Sequence, residues 1–257
     1  DSFTRLLKEP DYHLEALRAL LKIYCTEKEW EKAISIANTL EKEAGENHQS
    51  EIAHFYCELA ALSAREKKFD EARAQLNLAL SVDRRSVRAL IALGNLALQQ
   101  SQPEEALNHW SRVETVAPDY VTLIMGQMAQ AYEAIGQHDQ AMNMIHRALT
   151  DQPSAETLTI ALELVTKTEG EKAAQNLLRE ELHRHPTLLA FEKLAELRLK
   201  DDPDNEELTL LTSLLKPHVS HLGRYQCSHC GFRAKGFQWL CPGCSSWGSY
   251  PPKRMEE

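Results

Sequence analysis

Apolar residues recur along most of this chain three and four positions apart, the spacing that lays a stripe down one face of an α-helix. Five stretches look alike: "EKAISIANTL", "DEARAQLNLAL", "EEALNHWSRV", "DQAMNMIHRAL" and "EKAAQNLLREEL". Each places an acidic residue one or two positions before an alanine near a helix start. The aligned alanines are Ala33, Ala72, Ala106, Ala141 and Ala173, at spacings of 39, 34, 35 and 32. Pro118, Pro153 and Pro186 close three of the units, at spacings of 35 and 33. The segments between these anchors predict a second helix in each unit, packed antiparallel to the first. In the third unit Leu90, Leu93 and Gly94 share a helix face, and Ala106 and Trp110 look back at them. Met125, Met128, Ala129 and Tyr132 play the same parts in the fourth unit, with Gly136 at the turn; in the second, Tyr56, Leu59 and Ala60 face Ala72 and Leu76. The first unit has Leu21 and the fifth Leu162 where a small residue is usual, and residues 45–50 lengthen the first connection. Trp30, Trp110, Tyr24, Tyr56 and Tyr132 read as packing residues, and Cys25 and Cys57 as inert helix thiols.

A repeat of this length resembles the tetratricopeptide repeat. The expected fold class is all-α, a tetratricopeptide-repeat superhelix over residues 1–222 followed by a small metal-binding ribbon over residues 223–257. Pro10 sits one unit upstream of the first full repeat, so residues 1–9 read as the tail of an earlier second helix, and further repeats and an anchor are expected before Asp1. Downstream, "TLLAFEKLAELRL" reads as another first helix and "NEELTLLTSLLKPHV", after Pro203, as its degenerate partner. Terminal repeats are atypical because one face meets no further repeat. Partner binding in such arrays falls on the concave surface of the first helices, where Arg18, Lys22, His54, Arg88, Asn95 and Gln130 are the candidates. These residues do not reproduce the Lys, Asn and Arg set that clamps a C-terminal carboxylate.

Composition changes abruptly after Gly223, with Cys227, Cys230, Cys241 and Cys244 in a C-x2-C-x10-C-x2-C arrangement. Two such knuckles can place four thiolates tetrahedrally around one metal, and a site filled by four protein ligands is structural, with no place for substrate. Zinc is the expected cofactor, and iron fits the same four sulfurs. Paired redox disulfides would need a thioredoxin-like setting that the sequence lacks. Gly231 and Gly243 are expected to permit the tight knuckle turns, Pro242 to stiffen the second, and His229 to be a surface residue. A segment this short cannot bury enough surface to fold alone. Its aromatics, Tyr225, Phe232, Phe237, Trp239, Trp247 and Tyr250, exceed what a miniature core can use, so one face is expected to dock on the last helices around residues 187–222.

Charge and composition narrow the function. The 257 residues carry a net charge of −9, which argues against phosphate-driven binding of nucleic acid. In the ribbon, Arg224, Arg233, Lys235, Lys253 and Arg254 are offset by Glu256, Glu257 and the charge of four thiolates on a divalent metal. No window approaches the roughly 20 apolar residues of a membrane span. Clustered CxxC pairs without a secretory signal point to a reducing compartment. No phosphate loop, HExxH or GxSxG is present, so the chain reads as a non-enzyme.

Repeats followed by "YQCSHCGF" and "CPGCSSW", together with "EIAHFYCELA" at 51–60 and "RHPT" at 184–187, resemble the lipopolysaccharide assembly protein B family over the whole chain. The resemblance implies that Cys227, Cys230, Cys241 and Cys244 are the metal ligands. It further implies a non-enzymatic adaptor, held by an N-terminal anchor at the cytoplasmic face of the inner membrane of Gram-negative bacteria. Such an adaptor would promote degradation of the deacetylase LpxC by the membrane protease FtsH, limit lipopolysaccharide synthesis, and respond to an inner-membrane lipopolysaccharide sensor. The alternative is a scaffold for lipopolysaccharide synthesis or assembly enzymes with no part in proteolysis. Pairing of two copies through terminal repeats, giving a homodimer, is left open.

Overall fold

The structure is a computed structural model that describes residues 12–151, 154–221 and 225–252. Pro10, Pro153, Gly223, Arg224, Lys253 and Arg254 lie outside the described residues. The chain forms two compact units, one ending at Pro118 and the other beginning at Asp119.

The first unit contains α1 (His13–Glu27), α2 (Trp30–Ala44), α3 (Gln49–Arg65), α4 (Phe69–Val82), α5 (Val87–Gln99) and α6 (Pro103–Val116). Consecutive helices pack as hairpins, α1 on α2, α3 on α4 and α5 on α6, and each hairpin packs on the next. The same turn closes all three hairpins. Lys28, Lys67 and Ser101 each adopt a left-handed backbone with φ near 60° (59°, 61° and 59°). The following amides, those of Glu29, Lys68 and Gln102, reach back to the carbonyls of Tyr24, Ser63 and Ala97. This Schellman closure satisfies carbonyls that a helix end would otherwise leave open.

The repeated alanine sits where each second helix enters its hairpin. Ala33, Ala72 and Ala106 are all buried, and their amides donate to the carbonyls of Glu29, Lys68 and Gln102. Ala53, Cys57, Ala60, Ala72, Leu76, Ala89 and Leu93 form one continuous core across α3, α4 and α5. Trp30 stacks on Phe55 at 5.7 Å between ring centroids. Burial pushes the Cys57 thiol up to about 12 and the Cys25 thiol up to about 11, with Glu51 adding to the latter, so neither is a ready nucleophile.

Two helices approach closely at Gly94. Trp110 is fully buried, its ring lies on Gly94, and its indole N–H donates to the Ile91 carbonyl at 3.3 Å. A Cβ on Gly94 would stand 2.5 Å from Trp110 Cδ1 and closer still to Nε1.

A 3-10 segment, Pro118–Leu123, spans the boundary and carries Tyr120 into the second unit. There follow α7 (Met125–Ala134), α8 (His138–Asp151), α9 (Ala155–Thr168), α10 (Glu171–Arg184), α11 (Leu188–Asp201) and α12 (Glu206–His221). The hairpin plan continues, α7 with α8, α9 with α10 and α11 with α12. Gly136 (φ 72°) supplies the turn residue, and Ala141 is the buried anchor. In the next hairpin the anchor is Ala174, buried, with its amide on the Gly170 carbonyl; Ala173, the residue expected from the sequence, is half-buried beside it. Two adjacent alanines cannot be told apart by composition, and the helix phase set by Gly170 (φ 91°) decides between them. Leu162 is buried in spite of its size. Among the described residues no helix is long and apolar enough to cross a membrane.

The ribbon contains a two-stranded antiparallel hairpin, β1 (Tyr225–Gln226) with β2 (Arg233–Ala234), in register Tyr225↔Ala234 and Gln226↔Arg233.

Gly94→Ala is expected to destabilise the fold by about 1–3 kcal/mol through overpacking, despite the better helix propensity of alanine. Gly126→Ala, also helical but with nothing within 4 Å of its added Cβ, is expected to be tolerated. Urea denaturation of both variants checks the contrast.

Candidate metal centre

The four-cysteine site is built from two knuckles of the same design. In the first, the Gly231 amide donates to the Cys227 carbonyl at 2.9 Å and the Cys227 amide to the Phe232 carbonyl at 2.9 Å. In the second, the Ser245 amide donates to the Cys241 carbonyl at 2.8 Å and the Cys241 amide to the Ser246 carbonyl at 3.0 Å. The left-handed residue that follows each pair is Gly231 (φ 77°) in one and Ser245 (φ 56°) in the other. Gly243 lies within the second knuckle's turn, its amide donating to Cys241 Sγ at 3.4 Å, while the left-handed position falls to Ser245. The missing side chain of Gly243 makes room for Phe232, whose Cβ would lie 3.1 Å from a Cβ placed there.

The four sulfurs lie within 4.8 Å of one another. Cys227 and Cys244 are 3.8 Å apart and Cys230 and Cys241 3.6 Å apart, and no disulfide joins them. A tetrahedron with metal–sulfur bonds of about 2.3 Å has edges of about 3.8 Å, so these separations fit a metal held by four thiolates. The chemistry of the donors agrees. Desolvation opposes ionisation of Cys227, but the Ser249 hydroxyl, 3.2 Å from its sulfur, and the amides of Cys230 and His229 outweigh it and bring the thiol down to about 7. The Ser246 hydroxyl leads the groups that bring Cys244 down to about 5. The Phe232 amide favours the Cys230 thiolate, but desolvation and the neighbouring sulfurs outweigh it and push it up to about 12. Four thiols this close cannot all ionise without a cation among them.

Cys227, Cys241, Tyr225 and Tyr250 are the buried centre of the ribbon, with Ala234 and Phe237 against them. Two ribbon aromatics, Phe237 and Trp239, meet Tyr120 in the 3-10 segment of the second unit. Trp239 stacks on Tyr120 at 5.6 Å with an interplanar angle of 11°, and Phe237 meets Tyr120 edge-on at 6.1 Å. The Tyr225 hydroxyl donates to Glu156 Oε1, in the first turn of α9, at 2.6 Å. Tyr120 and Glu156, both outside the docking surface expected around residues 187–222, lie against the ribbon. No local pattern marks Tyr120, because its partner is more than a hundred residues away in the chain.

The candidate partner residues have varied fates. In the first unit, Lys22 is exposed and Arg18 is half-exposed, with both Nε and Nη2 on Glu46 Oε1 (2.8 and 2.6 Å). His54 is buried, which corrects its expected place on an accessible surface: it lies within the electrostatic reach of Arg88. Arg88 is largely covered and pairs with Glu58 at 2.7 Å. Asn95 is half-buried, and Gln130, in the second unit, is exposed.

Hairpins of this period ending in a closed four-sulfur ribbon define a tetratricopeptide-type protein with a rubredoxin-like appendage. Family models agree on both parts, a tetratricopeptide repeat matching residues 124–157 and a rubredoxin metal binding domain matching residues 225–252. The chain is 30% identical over 257 residues to lipopolysaccharide assembly protein B of Escherichia coli (strain K12), covering 99% of this chain and 66% of that protein. It is 31% identical over 255 residues to the protein of that name from Haemophilus influenzae, covering 98% and 64% respectively. This chain belongs to the lipopolysaccharide assembly protein B family, and it spans 66% and 64% of the length of these two relatives. Among solved structures it is similar to YrrB, a tetratricopeptide protein described as having an unusual peptide-binding site (18% identity, 75% of this chain and 97% of that one, TM-score 0.45). It is also similar to a tetratricopeptide repeat protein from Parabacteroides merdae (14% identity, 79% of each chain, TM-score 0.47).

Two outcomes are expected. Removal of metal by a chelator, or Cys227→Ser with Cys230→Ser, should free the ribbon from Tyr120. Tryptophan fluorescence should then shift and proteolysis near residue 224 accelerate, while the far-ultraviolet circular dichroism of the helices persists; an unchanged digestion pattern would contradict the docking role of the site. Separately, desolvation and then Arg88 hold the His54 imidazole down at about 3, against about 6.5 in an unfolded chain. Protonation therefore favours unfolding, and stability present above about pH 6.5 should be lost as pH falls towards 3. His54→Gln should flatten that loss in denaturation curves compared at about pH 7.5 and about pH 5.

Proposed function

We propose that this chain is the adaptor portion of a protein that limits lipopolysaccharide synthesis by presenting the deacetylase LpxC to the membrane protease FtsH at the cytoplasmic face of the inner membrane. The observation that carries the reading is the likeness to lipopolysaccharide assembly protein B over 99% of the chain, repeats and ribbon together. In this reading residues 1–222 are the repeat array and residues 223–257 the ribbon, and an anchor elsewhere in the protein holds both at the membrane. The four cysteines bind zinc, with iron as the alternative in the same sulfurs. The metal supplies cross-linking rather than catalysis, since four protein sulfurs leave no open position. The chain itself makes and breaks no bond. It raises the effective concentration of a substrate near a protease, and its repeat surfaces supply the protein contacts. An inner-membrane lipopolysaccharide sensor is the regulatory partner. Nucleic acid is not a partner, as the net charge of −9 disfavours it.

Capture from a Gram-negative envelope extract tests the proposal. The intact chain is expected to retain LpxC or FtsH, and the Cys227→Ser/Cys230→Ser form to lose them. Retention of other envelope-synthesis enzymes without either protein would favour the scaffold reading, and size-exclusion chromatography with light scattering of the same sample would reveal a homodimer.

A further inference from the structure

A cavity in the second unit is not explained by repeat packing or by the ribbon. It has a volume of about 370 Å³ and lies where the end of α8, the start of α9, the end of α10 and the start of α11 meet. Leu149, Leu158 and Leu189 give it apolar walls. Its polar lining includes Glu181, Arg184, His185, Ser154 and Thr187. Glu181 is only 4% exposed, and its Oε1 is enclosed without a hydrogen-bond partner among the described residues. The Arg184 guanidinium comes no nearer than 3.8 Å and is itself 58% exposed at the rim. A carboxylate oxygen shut away from water without a donor is costly. Its position on the cavity wall marks the place where a donor belongs. The opposite polarity surrounds it. Ser154 and Thr187 cap α9 and α11, accepting from the Thr157 and Ala190 amides at 3.1 and 3.2 Å, so the positive ends of two helices border the same space.

We propose that this cavity binds a basic amino acid with a free carboxylate, either free arginine or lysine or the last residue of a polypeptide. The cationic head donates to Glu181 Oε1, the methylene stem lies along the leucines, and the carboxylate faces Arg184, His185 and the two helix starts. The charges are matched reciprocally. An anion alone would leave Glu181 without a donor, and an amine alone would face Arg184 uncompensated. The volume suits one residue and excludes a folded partner. The site is separate from the four sulfurs and does not depend on the adaptor reading.

Calorimetric titration of the intact chain tests this with L-arginine, L-lysine, acetyl-glycyl-arginine, agmatine, which lacks the carboxylate, and norleucine, which lacks the cation. Arginine or lysine should bind saturably and norleucine should not. Glu181→Gln, which preserves volume, should weaken arginine binding about tenfold or more. Arg184→Ala should weaken arginine more than agmatine. Ala155→Leu, which narrows the cavity and leaves Glu181 in place, should also weaken binding; circular dichroism checks that each variant is folded. Acetyl-glycyl-arginine binding as well as arginine identifies a chain terminus as the natural ligand, and binding of arginine alone identifies the free amino acid. Absence of saturable binding at about 10 mM arginine and lysine, or equal affinity in Glu181→Gln, overturns the proposal.

Discussion

A helical hairpin of this length has two apolar faces, and its own partner helix covers only one of them. The second must be covered by the next hairpin, so no repeat is stable by itself. Everything else within each unit follows from that. In the first five hairpins the buried alanine at the start of the second helix lets two helices approach closely, and the positive-φ residue before it fixes the angle at which the chain returns. Gly94 beneath Trp110 shows the same principle, a large fully buried side chain resting on a position with no side chain of its own. The array uses small residues as spacers and large ones as wedges, and a change of either kind is felt by both neighbours.

The ribbon solves the same problem by other means. It has too few residues to bury a core, so four sulfurs replace one, and the two tyrosines beside them, Tyr225 and Tyr250, complete a centre only a few residues wide. The leftover aromatic surface of Phe237 and Trp239 is covered by Tyr120, and Tyr225 is tied to Glu156. Metal geometry, ribbon order and the start of the second unit are thereby linked through a short chain of contacts. In an adaptor, such linkage would make the ribbon part of a shaped surface instead of a loose tail.

Charge along the first helices of the hairpins is mostly spoken for internally. Arg18 is held by Glu46, and Arg88 by Glu58 across α3 and α5. These pairs orient long side chains that would otherwise sample many rotamers, at little net gain in stability when exposed. Glu181 departs from the pattern: it is enclosed at the wall of a polar cavity, and the Arg184 guanidinium at the rim lies beyond hydrogen-bonding distance. A buried carboxylate in that setting points outward from the fold, to a ligand, and not inward to packing.

The sequence by itself determined the repeat length, the hairpin plan, the packing role of Trp30 and Trp110, and the clustering of four cysteines. All of these are local: they depend on residues within one helical turn, one hairpin or one knuckle, where spacing along the chain fixes spacing in space. Only the tertiary structure decided between Ala173 and Ala174, gave the second knuckle's left-handed position to Ser245, set Phe232 against Gly243, and turned His54 inward. It also brought Tyr120 and Glu156 to the ribbon and enclosed Glu181. Each of those outcomes depends on which faces meet across tens of residues. An intervening shift of one position in helix phase rotates a side chain by about 100° and changes whether it meets solvent or core.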